Sequence, residues 1–198
     1  MPENRDLTAL LGSRICHDLI SPLGAIGNGV ELLMMTGAAA SPEIALIAES
    51  VANANAKIRY FRVAYGISSL DQRIGRTEIF SILSETTKGG RLGIEWNVPG
   101  DLPRAEVKLA FLLLQCCETA MPYGGKVSVT RDDGRWRIDA AALKMKIDAD
   151  MWDALSNPST TQDISSAQVH FALVPPELRR QNRALTVDLR EAAIVLAF

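Results

Sequence analysis

Ile44-Ala45-Leu46-Ile47-Ala48-Glu49-Ser50-Val51-Ala52-Asn53-Ala54-Asn55-Ala56-Lys57-Ile58-Arg59-Tyr60-Phe61-Arg62-Val63-Ala64-Tyr65 is the stretch that decides the fold class. Its apolar positions fall at Ile44, Ile47, Val51, Ala54, Ile58, Phe61 and Tyr65, in alternating steps of three and four residues. Such steps follow the turn of a helix, so these side chains form one seam over about three heptads. A half-buried strand would instead alternate at every second residue. Upstream, Ile15, Leu19, Pro22, Ile26, Val30 and Leu33 make a similar stripe. Between the stripes, Met35 to Ser41 carries a Gly37 stop, and Pro42 restarts the helix. The pattern predicts an antiparallel helical hairpin within residues 1–69.

That hairpin carries more apolar surface than it can hide alone. From Arg5 to Met35 the only charged residues are Arg5, Asp6, Arg14, Asp18 and Glu31, too few to solvate half of a long helix. A second copy of the same hairpin would cover the excess, giving a four-helix bundle about a two-fold axis, the commonest oligomer symmetry. A homodimer is the expectation.

After about Leu70 the pattern becomes mixed. Thr77 to Lys88 reads as a short amphipathic helix, and Arg91 to Val98 as a half-buried strand ended by Pro99-Gly100. A long apolar helix follows from about Arg104 to Met121. Strands are expected at Lys126 to Arg131 and Arg135 to Leu143, joined by an Asp133-Gly134 turn. Asp150 to Leu155 reads as a helical turn and Asn157 to Thr161 as a loop. A helix from Ile164 to about Val174 should break or restart at Pro175-Pro176, before strands at Leu185 to Arg190 and Ala192 to Phe198. The predicted class is α+β: a helical hairpin over 1–69, then an α/β sandwich over 70–198.

Composition removes several functions. The 198 residues are 47% hydrophobic and 22% charged, which excludes disorder. Lys plus Arg number 21 against 23 Asp plus Glu, with no basic run, so nucleic acid is not an expected partner. Cys16, Cys116 and Cys117 are an odd set with two neighbours in an apolar run, which suits reduced core thiols. His17 and His170 are the only histidines, and neither sits in a metal-binding spacing. No signal peptide or membrane span is read, so a cytoplasmic protein with no membrane partner is expected.

His17 is the chemical candidate. On a helix it lies about 200° around the axis from both Ile15 and Leu19, so it faces away from that stripe. Leu10, Ser13, Arg14, Ile20, Ser21, Gly24 and Asn28 share its side of the helix, and most are small or polar. Such a surface lets a partner approach an exposed imidazole closely, so Leu10, Ser13, Arg14, Ile20, Gly24 and Asn28 are the expected partner-binding residues. Pro22, Gly24, Gly27 and Gly29 all disfavour a helix, at ~3 kcal/mol for a proline and ~1 kcal/mol for a glycine. A helix built only to pack would not collect four such residues within eight positions. His170, in Val169-His170-Phe171-Ala172-Leu173, reads as a partly buried structural residue, Cys16 as packing, and Arg179, Arg180 and Arg183 as solvated surface.

His17-Asp18-Leu19-Ile20-Ser21-Pro22-Leu23 resembles the phosphoacceptor box of bacterial sensor histidine kinases. The resemblance implies that His17 accepts a phosphoryl group, that Asp18 positions or deprotonates its imidazole, and that Ser21 influences dephosphorylation. The second domain resembles the kinases' ATP-binding domain in order of elements, yet it departs from every nucleotide motif. Cys116 stands where an asparagine would hold Mg²⁺, and a thiol is a poor ligand for so hard a cation. Asp139-Ala140-Ala141-Ala142-Leu143 replaces the adenine-reading Asp-x-Gly-x-Gly loop. Ile164-Ser165-Ser166-Ala167-Gln168-Val169-His170 lacks the glycines of a phosphate loop. ATP binding is therefore not expected.

Taken whole, the chain resembles the ChpT-type histidine phosphotransferases of alphaproteobacteria, through the Cys16-His17-Asp18-Leu19 run, Asn28-Gly29, and Phe61-Arg62-Val63-Ala64-Tyr65-Gly66. The resemblance implies a dimeric relay. A CckA-like hybrid kinase's receiver domain passes phosphoryl to His17, and His17 passes it to a CtrA-like or CpdR-like response regulator. The receiver then brings the Mg²⁺, and this chain needs no cofactor of its own. A non-catalytic dimeric scaffold that binds regulators, and a residual kinase or phosphatase, are the competing readings.

Overall fold

The computed structural model describes residues 7–35, 42–69, 71–156 and 165–198. The expected helix connection after Met35 and the expected loop at Asn157 to Thr161 lie outside the described residues. Two compact units are present, Met1–Ser68 with Ser81–Thr86, and Ser69–Phe80 with Thr87–Phe198.

The first unit is built on two long helices, α1 (Leu7–Met35) and α2 (Pro42–Ala64). α1 continues through Pro22, and α2 starts on Pro42, whose missing N–H costs nothing at a first helical position. Their run is antiparallel: a Cβ on Gly12 would lie 3.1 Å from the Tyr65 carbonyl oxygen, and one on Gly27 3.5 Å from Val51. Near the end of α2, Arg59 donates to Glu85 at 2.9 Å and to the Ser81 hydroxyl at 3.2 Å. Both acceptors belong to α3 (Arg76–Thr87), whose residues 81–86 group with the hairpin.

The face of α1 turned to α2 differs from the one its apolar stripe suggests. Ala9 and Cys16 are buried, with Gly12 and Gly27 in close contact, whereas Ile15, Leu19, Ile26 and Leu33 remain 45–50% exposed. Small side chains let two backbones approach, so this narrow face packs within the hairpin and the bulky stripe is left outside. On α2, Ile58 of the expected seam is buried, but Ile47 is 47% exposed.

The second unit is a mixed sheet with helices. Strands β2 (Leu92–Trp96), β4 (Gly125–Asp132), β5 (Arg135–Ala141), β6 (Thr186–Leu189) and β7 (Ala193–Ala197) lie in the order β2-β4-β5-β7-β6, with β2 and β4 parallel and the other neighbours antiparallel. Asp133 and Gly134 have φ of 44° and 79°, and Asp132 pairs with Arg135, so the β4–β5 turn is the two-residue kind that suits sheet twist. Gly124 is obligatory: its φ is +92°, and a Cβ there would fall 2.4 Å from the Arg91 carbonyl oxygen. Two-residue strands β1 (Arg73–Ile74) and β3 (Leu102–Pro103), unanticipated from sequence, form a separate antiparallel pair.

Alternation along the strands sends Val127, Val129, Trp136, Ile138, Ala140, Ile194 and Leu196 into the core. Against this core lies α4 (Arg104–Ala120), with twelve of its seventeen residues buried. Trp96 meets Phe111 edge-on, with ring centres 6.1 Å apart. α5 (Ala149–Ser156) and α6 (Val169–Arg180) complete the layer, and Trp152 packs edge-on against Phe171 at 5.5 Å.

α6 overturns the expected break at the prolines. It starts at Val169, after a 3-10 turn at Ser166–Gln168, and runs through Pro175-Pro176 to Arg180. Burial of Phe171, Val174, Glu177 and Leu178 outweighs the backbone bonds the prolines remove. Glu177 forms a buried ion pair with Lys108 of α4 at 2.6 Å, and Arg180 lies 2.9 Å from the same carboxylate. Arg183 likewise departs from the solvated-surface expectation: it sits 3.2 Å from Glu106 and donates to the Gly134 carbonyl at 3.0 Å. Arg179 is exposed. All three cysteines are buried free thiols.

Glu106 joins three elements. One of its oxygens accepts from the Trp136 indole at 2.6 Å and from Arg131 at 3.1 Å, and the other faces Arg183. Its neighbours stack: the Trp136 and Phe198 rings are 5.8 Å apart and 1° from parallel. Glu106→Gln should lower the stability of this unit by about 1–3 kcal/mol, because the amide cannot accept at both ends. Trp96, Trp136 and Trp152 are the chain's three tryptophans, so urea unfolding followed by indole fluorescence reports on this unit, and an unchanged midpoint would refute the hub.

Candidate functional site

His17 is carried in the first half of α1, one position after buried Cys16. Successive helical residues point about 100° apart, so burying Cys16 against α2 turns the next side chain outward. The His17 side chain is 82% exposed, and its Nδ1 lies 3.1 Å from Oδ1 of Asp18. The other carboxylate oxygen of Asp18, Oδ2, accepts from Nε of Arg14 at 2.7 Å. The hydrogen bond from His17, then Arg14, holds the Asp18 carboxyl below its usual range despite some desolvation. With Asp18 ionised and facing Nδ1, the neutral tautomer that donates to it carries its proton on Nδ1 and leaves the Nε2 lone pair available.

The other expected site residues divide. Arg14, Ser21 and Asn28 are exposed and Gly24 is half-buried, with nothing within 4 Å of a Cβ built on it. Ile20 is half-buried. Ser13 is occupied: its hydroxyl accepts from the backbone N–H of Ile67 at 2.9 Å and closes the end of α2 against α1. Leu10 is in α1, but its side chain lies outside the described residues. Beyond His17, Gly24, Gly27, Asn28 and Glu31 of α1 meet Ala48, Ala52 and Asn55 of α2 along an open groove of about 380 Å³.

Two contacts here went unread in the sequence. Arg14 and Asp18 stand at i and i+4, the spacing at which opposite charges meet on a helix, so that signal was present. The Ser13–Ile67 bond joins residues 54 apart in sequence and has no local signature.

Residues 76–193 match the family described as histidine phosphotransferase C-terminal domain, more than half of the chain. The protein phosphotransferase ChpT of Brucella abortus (strain 2308) is 33% identical over 180 residues, covering 87% of this chain and 86% of the relative. The chain belongs to the histidine phosphotransferase family. A bacterial phosphotransferase of known structure superposes with a TM-score of 0.68 at 26% identity, over 100% of this chain and 97% of that one. A histidine kinase domain from Erythrobacter litoralis EL346 gives a TM-score of 0.48 at 12% identity, over 96% of this chain and 91% of that one.

Among the described residues no group of three or more His, Cys, Asp or Glu could hold a metal ion, and no helix is long and apolar enough to cross a membrane. Cys116 is fully buried, and burial raises its pKa well above the usual thiol value.

His170 contrasts with His17. It is buried on α6, and its Nε2 lies 3.0 Å from the Thr119 hydroxyl, which gives its own proton to the Gln115 carbonyl at 2.9 Å. Thr119 must therefore accept from a neutral, Nε2-protonated ring. Burial lowers the His170 pKa from 6.5 to about 4. The unfolded imidazole binds a proton below about pH 6.5 and the folded one only below about 4. The stability tied to keeping it neutral is thus full above pH 6.5 and is lost as pH falls toward 4. His170→Gln should flatten that part of the pH dependence in denaturant titrations at pH 7, 5.5 and 4; an unchanged slope would show that the ring is not held neutral.

Proposed function

We propose that this chain relays a phosphoryl group between receiver-domain aspartates through Nε2 of His17, as a homodimer and without ATP. The observation that carries this reading is the exposed imidazole of His17 with Nδ1 committed to Asp18. Such a ring needs no base of its own, because its free lone pair is the nucleophile. In the transfer, Nε2 forms the N–P bond while the P–O bond of the partner's aspartyl phosphate breaks, leaving the electron pair on the released carboxylate. The receiver supplies the Mg²⁺, as the phosphotransferase resemblance implies, and CckA-like, CtrA-like and CpdR-like proteins are the partners in this reading. Ser21, one turn beyond His17, and the groove by Gly24 and Asn28 give the receiver room to dock.

The second unit supports the absence of ATP chemistry. Cys116, at the metal-binding position, is a buried neutral thiol, and α4 and α6 are clamped together by Lys108–Glu177 and Thr119–His170. Titration with Mg-ATP is expected to give no micromolar isotherm. Saturable binding, or label from γ-³²P-ATP on the protein alone, would favour a kinase instead.

The exposed Ile15, Leu19, Ile26 and Leu33 stripe supports the dimer, since a second hairpin would bury it. Ile26→Glu should dissociate the dimer, because an unpaired buried charge costs roughly several kcal/mol. Light scattering reads this directly, and a monomeric wild type would refute it.

For the relay itself, His17→Gln should abolish acid-labile label transferred from a ³²P-phosphorylated receiver while leaving dimerisation and receiver binding nearly unchanged. Ser21→Arg should weaken receiver binding by filling the docking space. Transfer persisting in His17→Gln would place the nucleophile elsewhere.

A further inference from the structure

We propose that Arg14 is a positioning residue for this transfer: it holds and neutralises Asp18, so that Asp18 fixes the His17 proton on Nδ1 without repelling the incoming phosphoryl group. The inference rests on the reading of His17 as the nucleophile and adds a residue to it.

The geometry divides the Asp18 carboxylate between two donors. Oδ2 is 2.7 Å from Nε of Arg14, and Oδ1 is 3.1 Å from Nδ1 of His17. Asp18 is 49% exposed at its side chain, so nothing buries it into one rotamer. Its bond to an adjacent residue on the helix also requires the carboxylate to swing around the axis. Arg14, one turn earlier, supplies the opposing pull that fixes this swing. Without it the carboxylate is free to turn to water, and the imidazole proton is no longer directed to Nδ1.

Charge gives Arg14 a second task. An aspartyl phosphate arrives with an anionic phosphoryl group, and a bare carboxylate beside the attacking nitrogen would oppose it. The Arg14–Asp18 pair is neutral overall, so the ring keeps its hydrogen bond and the approach is not opposed. When Nε2 forms the N–P bond and the partner's P–O bond breaks, the phosphorylated ring retains the Nδ1 proton and becomes cationic. Asp18 balances that charge, and Arg14 keeps Asp18 in place. Arg14 is 74% exposed in the free chain, where such a pair contributes little to stability. A docked receiver excludes water and strengthens the same contacts.

The test combines Arg14→Gln, Asp18→Asn and the double variant in single-turnover transfer from a ³²P-phosphorylated receiver domain, with the receiver's Kd measured separately. ¹⁵N spectra of the imidazoles give a readout that needs no partner, and assignment is simple because the chain has only two histidines. Arg14→Gln is expected to slow transfer about tenfold at saturating receiver, and to move His17 from the Nδ1–H toward the Nε2–H tautomer. The double variant should be no slower than Asp18→Asn, and Arg14→Lys should recover part of the rate. A weakened Kd with losses that add to those of Asp18→Asn would make Arg14 a docking residue and overturn the proposal, as would an unchanged rate and tautomer. A wild type that accepts no label would defeat the relay reading instead, and the tautomer shift would still decide whether Arg14 controls Asp18.

Discussion

The close approach of α1 and α2 over small side chains is the constraint from which the site follows. Ala9, Gly12, Cys16 and Gly27 leave no room for a bulky layer between the helices, so this narrow face is the one that packs. Helical geometry then sets the rest. His17, one residue after Cys16, must face out, and the stripe of Ile15, Leu19, Ile26 and Leu33 is left at the surface. A bulky residue at Gly12 would separate the helices and loosen the same orientation, although it would touch neither His17 nor Asp18.

The second unit is held together through α4. α4 is buried nearly all round, and its polar residues are spent on fixed partners: Lys108 on Glu177, Glu106 on Trp136 and two arginines, Thr119 on His170. A buried pair such as Lys108–Glu177 adds little net stability over an apolar contact, but removing one partner strands the other's charge. It therefore fixes how the helices register more than how tightly they hold.

Much of this architecture was readable because the periodic signals were strong. The three-four pattern around Ile58, the apolar run of α4 and the Asp133-Gly134 turn each combine local propensity with burial. The failures have physical reasons. Two-residue strands such as β1 and β3 carry no period. At Pro175-Pro176 local preference argues for a break, yet the burial of Phe171, Val174 and Leu178 carries the helix onward. On α1 the larger apolar stripe attracted the assignment, although the hairpin packs through its small residues. Within the site, His17 stood out by its helical position and Asp18 through the resemblance to the phosphoacceptor box, whereas the Ser13–Ile67 bond depends on the tertiary fold.

The burial of every cysteine has a practical side. Cys16 is shielded between the helices, and the Cys116 and Cys117 thiols are protonated at neutral pH, with Cys117 pushed up to about 12. Thiolates, not thiols, react with maleimides and nitroxide reagents, so the native chain is a quiet background for such chemistry. A single cysteine introduced at an exposed position such as Asn28 would carry a spin label or fluorophore alone, with all three natural cysteines left in place.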